Sequence, residues 1–339
     1  MKEVLSDINQ WRKESSEPVA LATVVATWGS APRKVGAKMA LTPGGRISGS
    51  VSGGCVEGAV FEEGTEALAT GRPKLLHFGV ADETAWDVGL ACGGTIEVFV
   101  EPLNAAVYDF LHDLIDKDQA GASVTVIRGP EELLGQKIAV SRDGRAVGKL
   151  DTELDEAIVE AAQKASASKR LQLGDDIEVF IDVVRPAPTL VIVGGVHIAI
   201  ALTSIAKTLG YRTIVVDPRR AFGSEVRFPH VDQLIQSWPD KAFAEIELTP
   251  ETAVAMLTHD PKIDDPALKV VLGSPVFYVG ALGSSKTQAR RQQRLSDVGF
   301  NEEQIGRIHG PIGLEIGATT PEEIALAIMA EIVKARHEA

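Results

Sequence analysis

Apolar and polar positions follow two different patterns along this chain, and the change comes near residue 185. Before it, short β-rich runs are interleaved with stretches of helical period. Ser6 opens a helix predicted over 6–14, and Pro18 to Thr27 is an apolar run that reads as a strand. Lys38 to Ile47 reads as two short strands around the turn Pro43-Gly44-Gly45. A glycine-rich loop at 49–58 then feeds a helix predicted from about Val56 to Ala69, stopped by Gly71. Thr95 to Val100 alternates as a strand and closes at Glu101-Pro102. Tyr108 to Ile115 has helical spacing, Asp143-Gly144 marks a hairpin turn, and Leu154, Ile158 and Ala162 line a further helix face. Ile177, Val179, Ile181 and Val183 alternate as a strand.

Arg185-Pro186-Ala187-Pro188 is a stiff linker, and beyond it the order becomes strand, helix, strand. Leu190 to Val193 is a continuous apolar run, as a buried parallel strand requires. A helix is predicted from His197 to Leu209 with Gly210 after it, then a strand from Thr213 to Val216 ending at Asp217. Further apolar runs lie at Ala253–Leu257 and Val276–Val279. Thr320-Pro321-Glu322-Glu323 opens the last helix with an N-cap, a proline at its first position and Glu at its third. The fold class expected is α/β: a mixed α/β domain over 1–184 and a Rossmann-like, doubly wound domain over 189–339. No internal repeat is evident.

Composition narrows the function. Lys and Arg number 34 against 47 Asp and Glu, a formal net charge of −13, so the chain lacks the basic footprint of a general nucleic-acid binder. Arg290, Arg291 and Arg294 make one basic cluster, read as a solvated helix face, with an anion contact as the alternative. A hydrophobic fraction of 45% supplies two cores without disulfide staples, and two cysteines are too few for a secreted framework. The first residues are acidic and only briefly apolar, so no secretory leader is expected. No stretch approaches the roughly 20 apolar residues of a membrane helix. The expected location is cytoplasmic.

The turn after the Leu190–Val193 run is a defective dinucleotide fingerprint. The pattern needs Gly-x-Gly-x-x-Gly/Ala, and Gly194-Gly195-Val196-His197-Ile198-Ala199 places Val196 where the second glycine lets a pyrophosphate approach. NAD(P) is therefore not expected there. Gly194, Gly195, His197 at the helix N-terminus and Asp217 in the ribose position stay candidate cofactor contacts.

The two cysteines sit among glycines rather than in apolar runs. Cys55 lies in Ser52-Gly53-Gly54-Cys55-Val56-Glu57, just before a helix whose free N–H groups are expected to favour a thiolate. Cys92 lies in Cys92-Gly93-Gly94, before a strand. A small buried hydrophobe is the bland alternative for each. No Cys-x-x-Cys pair points to structural zinc, and His77 is the one histidine near in sequence to serve a hydrolytic nucleophile. A soft metal ligand suits the thiolates better. Arg33 and Lys34, in a loop of small residues, suit a phosphate-bearing ligand. His259 and Asp260 follow a strand of the second domain, where such sheets bind ligands; loop capping is their alternative. His309-Gly310-Pro311-Ile312-Gly313 is a rigid loop without evident chemistry.

Several segments together resemble one family, the XdhC/CoxI accessory proteins of molybdenum hydroxylases, typified by xanthine dehydrogenase accessory factor. They are Gly29-Ser30-Ala31-Pro32-Arg33, Ser50-Val51-Ser52-Gly53-Gly54-Cys55-Val56-Glu57, Cys92-Gly93-Gly94, Thr258-His259-Asp260-Pro261-Lys262, Gly280-Ala281-Leu282-Gly283-Ser284 and Pro311-Ile312-Gly313-Leu314. The family usually carries Gly where this chain has Val196. The resemblance implies a chaperone, rather than an enzyme, that holds the molybdenum cofactor (molybdopterin). It implies support of the cofactor's sulfuration by a cysteine desulfurase and delivery to a hydroxylase apoenzyme. It also implies a homo-oligomer. On this reading Cys55 contacts the metal, Cys92 assists, and Ser52, Gly53, Gly54 and Gly93 shape the cofactor site. The rival reading is an NAD(P)- or thiol-dependent oxidoreductase.

Overall fold

Helix α1 spans Lys2–Glu14 and so begins before Ser6. Val4 stands one turn before Ile8, and both are fully buried, so the apolar stripe extends past the polar Ser6 toward the start of the chain. The computed structural model describes residues 1–79, 94–150, 155–174 and 176–338. The chain divides into two units, Met1–Pro186 and Ala187–Ala339. Among the described residues no helix is long and apolar enough to cross a membrane.

In the first unit α1 is followed by β1 (Ala20–Trp28), β2 (Lys38–Leu41), β3 (Ile47–Gly49), α2 (Glu57–Thr70), β4 (Lys74–Phe78) and β5 (Thr95–Pro102). Then come α3 (Ala105–Asp116), β6 (Gly121–Arg128), β7 (Lys137–Ser141), β8 (Ala146–Lys149), α4 (Asp155–Lys164), β9 (Lys169–Leu173) and β10 (Ile177–Val184). The strands form two antiparallel sheets, ordered β3-β2-β1-β5-β4 and β8-β7-β6-β10-β9. The second order is the first with every number raised by five. Each half runs α-β-β-β-α-β-β, so the unit is an internal duplication that the sequence pattern does not reveal.

Its correspondence is atomic in detail. Val24 exchanges backbone hydrogen bonds with Gly36 and Ala37, and Val126 does so with Gly135 and Gln136. Thr23 pairs with Lys38, and Thr125 with Lys137. Gly49 and Gly148 both adopt positive φ, and a Cβ would stand 2.3 Å from the carbonyl oxygen of Lys38 and 2.2 Å from that of Lys137. The two lysines reach across to the opposite sheet: Lys38 pairs with Asp182 at 2.8 Å, and Lys137 pairs with Glu101. All four side chains are largely withdrawn from water, so each charge leans on its partner, Asp182 also accepting from the Ser168 hydroxyl at 3.1 Å. Val25, Phe99, Ile127 and Phe180 fill the same inter-sheet layer as two matching pairs. Helix α2 covers the outer face of the first sheet through Val60 and Ala67, and α4 covers the second through Ile158 and Ala162.

The second unit contains β11 (Thr189–Val193), α5 (His197–Thr208), β12 (Arg212–Val216), β13 (Gln233–Ile235), α6 (Pro239–Glu245), β14 (Thr252–Met256), α7 (Pro261–Val271), β15 (Tyr278–Ala281), α8 (Ser285–Asp297), α9 (Glu302–Gly306), β16 (Ile308–His309) and α10 (Pro321–Glu338). One parallel sheet runs β13-β12-β11-β14-β15-β16, the doubly wound order expected for this half. Helices α5 and α10 pack one face and α6 and α7 the other. The basic cluster on α8 is not a solvated face throughout. Arg291 is 1% exposed, held by Asp264 at 3.2 Å, Gln288 and the Leu282 carbonyl, and Arg294 pairs with Asp265. Arg291 is fixed inward because Asp264, on the facing α7, is itself buried.

Candidate functional site

The Cys55 loop is built around a residue that the cysteine reading passes over. Glu57, the first residue of α2, turns its carboxylate back into the loop that precedes it. The backbone N–H groups of Val51, Ser52, Gly53 and Gly54 all donate to it, at 3.2, 2.9, 3.1 and 2.9 Å. The hydroxyls of Ser50 and Ser52 donate as well. Successive N–H groups turned to one point make an anion nest, and the turn requires positive φ at Gly53 and Gly54, 83° and 119°. Burial alone would raise the Glu57 pKa; the hydrogen bonds from Ser50 and Ser52 outweigh it and bring it down to about 2.

This arrangement corrects one expectation. The loop donors beside the thiol are engaged elsewhere: those of residues 51–54 by Glu57, and those of Cys55 and of Val56, the N-cap of α2, by the Ser52 hydroxyl, each at 3.0 Å, so only the first N–H groups within α2 itself remain for a thiolate. Cys55 itself is exposed. The loop is locked from beneath and displays the thiol on top. The motif Ser-x-Ser-Gly-Gly-Cys-x-Glu carries the signal, since an acid two residues after the cysteine and a Gly-Gly pair are what a self-filled nest needs.

Arg33 joins this loop and is already partnered on two of its nitrogens. Its Nε donates to the Ser50 carbonyl at 3.1 Å and its guanidinium pairs with Glu3. Lys34 is exposed. Gly53 lies against Pro32, and a Cβ on Gly94 would meet Ser30 at 2.8 Å, so loop 29–33 links the Cys55 loop to Gly94. Cys92 and Gly93 lie outside the described residues. His77 stands 3.7 Å from Glu97, in the cluster that Glu97 shares with Arg128 and Arg170.

In the second unit the turn after β11 is filled by the chain itself. Gly195 N–H donates to Asp217 at 2.8 Å, and a Cβ on Gly195 would stand 2.5 Å from the Phe222 carbonyl. Gly194 packs against Thr258. Asp217, fully buried, also accepts from the backbone and guanidinium of Arg219, which lies over the Phe222 ring. Burial opposes its ionisation, but the Arg219 bonds hold its carboxyl below the usual range. The carboxylate in the ribose position is thus engaged. His197 is exposed at the start of α5. His259 is exposed too, and Asp260 caps α7 by accepting from Lys262 N–H at 3.0 Å, the loop-capping alternative.

Comparison with known proteins places the chain. Residues 12–79 match the model of the XdhC and CoxI family, and residues 190–332 match that of the XdhC Rossmann domain. The chain is 30% identical over 331 residues to a probable xanthine dehydrogenase subunit of Bacillus subtilis, covering 95% of this chain and 94% of that protein. It is 27% identical over 323 residues to the molybdenum cofactor insertion chaperone PaoD of Escherichia coli, covering 95% and 85%. A protein of Bacillus halodurans solved as a xanthine dehydrogenase has the same fold, with a TM-score of 0.77 over 99% of this chain and 95% of that one at 23% identity. A match of this extent and identity, with both segments in order, makes the chain a member of the XdhC and CoxI family.

Proposed function

We propose that this protein is a maturation factor that carries the molybdenum cofactor to a molybdenum hydroxylase of the xanthine dehydrogenase kind. The observation that carries the reading is the displayed thiol of Cys55, exposed on a loop that Glu57 holds rigid. A chaperone must grip its cargo and release it intact to its client. A rigid loop with one protruding soft donor suits that task, because little ordering cost accompanies each capture. Molybdenum is the cargo, with Cys55 as its ligand and Cys92 assisting. Ser52, Gly53, Gly54 and Gly93 shape the approach, and Lys34 is the cation left for the pterin phosphate. A cysteine desulfurase would sulfurate the cargo while it is held. The relative named a molybdenum cofactor insertion chaperone supports this reading. On this reading NAD(P) is not the ligand of the turn after β11, where Gly195 N–H and the Arg219 guanidinium both donate to Asp217.

The test is anaerobic purification from a molybdenum-replete host, followed by metal and pterin analysis of the wild type, Cys55→Ser and Cys92→Ser. Near-stoichiometric cofactor in the wild type and at least a tenfold loss in Cys55→Ser are expected. Undiminished retention in both variants would remove the reading.

A further inference from the structure

The second unit holds a chemically prepared histidine that neither the cysteine loop nor the glycine turn involves. His309 ends β16, and its Nδ1 lies 3.3 Å from Glu331 Oε1 on α10. The other oxygen, Oε2, is already anchored: Tyr278 donates its hydroxyl at 2.5 Å and Gly313 its N–H at 2.8 Å. The Tyr278 and His309 rings lie 4.7 Å apart, centroid to centroid. Three residues distant in sequence therefore converge on one carboxylate, and Gly280, opposite His309 in the sheet, makes room for them. A Cβ there would stand 2.4 Å from the Tyr278 oxygen.

The division of labour on Glu331 separates a structural role from a chemical one. Tyr278 and Gly313 suffice to tie α10 to β15 and to the loop after β16. His309 adds little to that tie, yet it takes the remaining oxygen, and its side chain is 41% exposed. Burial would raise the Glu331 pKa, but the bonds from His309, Tyr278 and Gly313 hold it below the usual range. Burial and the neighbouring Glu331 keep Tyr278 protonated. An ionised, acceptor-only carboxylate fixes hydrogen on Nδ1 and leaves the lone pair on Nε2. His309 also sits at the carboxyl end of its strand, the end at which open parallel sheets take ligands.

We propose that His309, oriented by Glu331, is a general base that accepts a proton from a ligand bearing a weakly acidic N–H, O–H or S–H. The ligand's X–H bond breaks and leaves its electron pair on X. An N–H bond forms at Nε2, and the imidazolium is balanced by the Glu331 carboxylate, which itself takes no proton. Glu331 is a positioning residue and Tyr278 supports it.

Two readouts on the full chain need no cofactor, so they stand or fall apart from the cargo-carrying role. Nitrogen-15 NMR should show His309 in the Nδ1–H tautomer, with that preference lost in Glu331→Gln. Carbethoxylation by diethyl pyrocarbonate at pH 7 should be at least threefold faster at His309 than at the exposed His197 and His259, and Glu331→Gln should remove the difference. A third readout rests on the proposed function. His309→Ala should retain bound cofactor within twofold but activate a hydroxylase apoenzyme at least tenfold more slowly, with imidazole restoring the rate. An Nε2–H tautomer, a carbethoxylation rate no different from the other histidines, or unimpaired activation by His309→Ala would each overturn the proposal. So would a loss that imidazole leaves unrestored.

Discussion

Replacing Glu57 by Gln tests whether the Cys55 loop is held by charge. The Glu57 carboxyl falls from an ordinary 4.5 to about 2 in the folded chain, a difference of about 2.5 units. At about 1.4 kcal/mol for each tenfold change in proton affinity this is at most ~3 kcal/mol. The carboxylate is partly open to solvent, and screening reduces the figure to about 1–2 kcal/mol. The amide adds a second cost. It keeps one acceptor oxygen but turns an NH2 toward Gly54 N–H and the Ser52 hydroxyl. Neither can turn to accept it, because the N–H is a fixed donor and the Ser52 oxygen already accepts from the Cys55 and Val56 N–H groups, and an orphaned donor costs about 1–3 kcal/mol where water does not reach it. The expected destabilisation is about 2 kcal/mol at pH 7.

Its pH dependence has a definite sign. A folded pKa below the unfolded one contributes stability above pH 4.5 that is lost as pH falls toward about 2. The gap between wild type and Glu57→Gln should therefore be full at pH 6–7 and close progressively from about pH 5 to pH 2. Urea unfolding of the first unit at several pH values measures it. The Cys55 alkylation rate, followed in the same samples, reports whether the loop has loosened, and Glu57→Asp should recover part of both. A difference below about 0.5 kcal/mol at pH 7, or one that stays constant down to pH 2, refutes the charge-held nest.

Other expectations follow from the buried charges and the duplication. Lys38→Met and Lys137→Met should each cost about 3–5 kcal/mol by stranding Asp182 or Glu101, and the double variant Lys38→Met/Asp182→Leu should cost much less; urea midpoints decide it. Gly49→Ala and Gly148→Ala should destabilise by similar amounts, about 2 kcal/mol or more, because each Cβ meets an equivalent carbonyl at positive φ. Equal thermal shifts support the correspondence, and a neutral result at either position contradicts it. Arg291→Met should cost about 3 kcal/mol in the second unit by leaving the buried Asp264 with the Thr258 hydroxyl but no cation, which calorimetry can read.

The doubly wound half was legible because its strands are continuous apolar runs and its helices carry caps. Leu190 to Val193 and the Thr320-Pro321 start behave as their patterns predict. The first half was less so. Strands β4 and β9 escape a periodicity reading because Lys74–Phe78 and Lys169–Leu173 sit at sheet edges with few buried positions. The site was legible as a location and not as a mechanism. Gly53, Gly54 and Cys55 mark the loop, but which acceptor its N–H groups meet depends on α2 turning Glu57 backward. His309 looked purposeless for the same reason: its partners stand 31 residues before it and 22 after, and only the sheet brings Tyr278 and Glu331 together.

The duplication shows that the nest and the displayed thiol lie in only one of the two matching halves of the first unit. Between β3 and α2 the chain has residues 50–56, whereas between β8 and α4 it has only 150–154. The second connection reads Leu150-Asp151-Thr152-Glu153-Leu154, shorter by two residues and without glycine or cysteine. The nest of four consecutive N–H groups in the first connection uses two glycines at positive φ, 83° and 119°. Both halves keep what the shared scaffold requires: the crossed lysines, the paired acids, and Gly49 with its counterpart Gly148. These groups therefore belong to stability. Gly53, Gly54 and Cys55 have no residue of their type in the shorter sequence, although the first residue of each helix, Glu57 and Asp155, is an acid. Within the first unit, variants of the shared set should change unfolding and leave the thiol's behaviour alone, and variants of the unshared set should change the thiol.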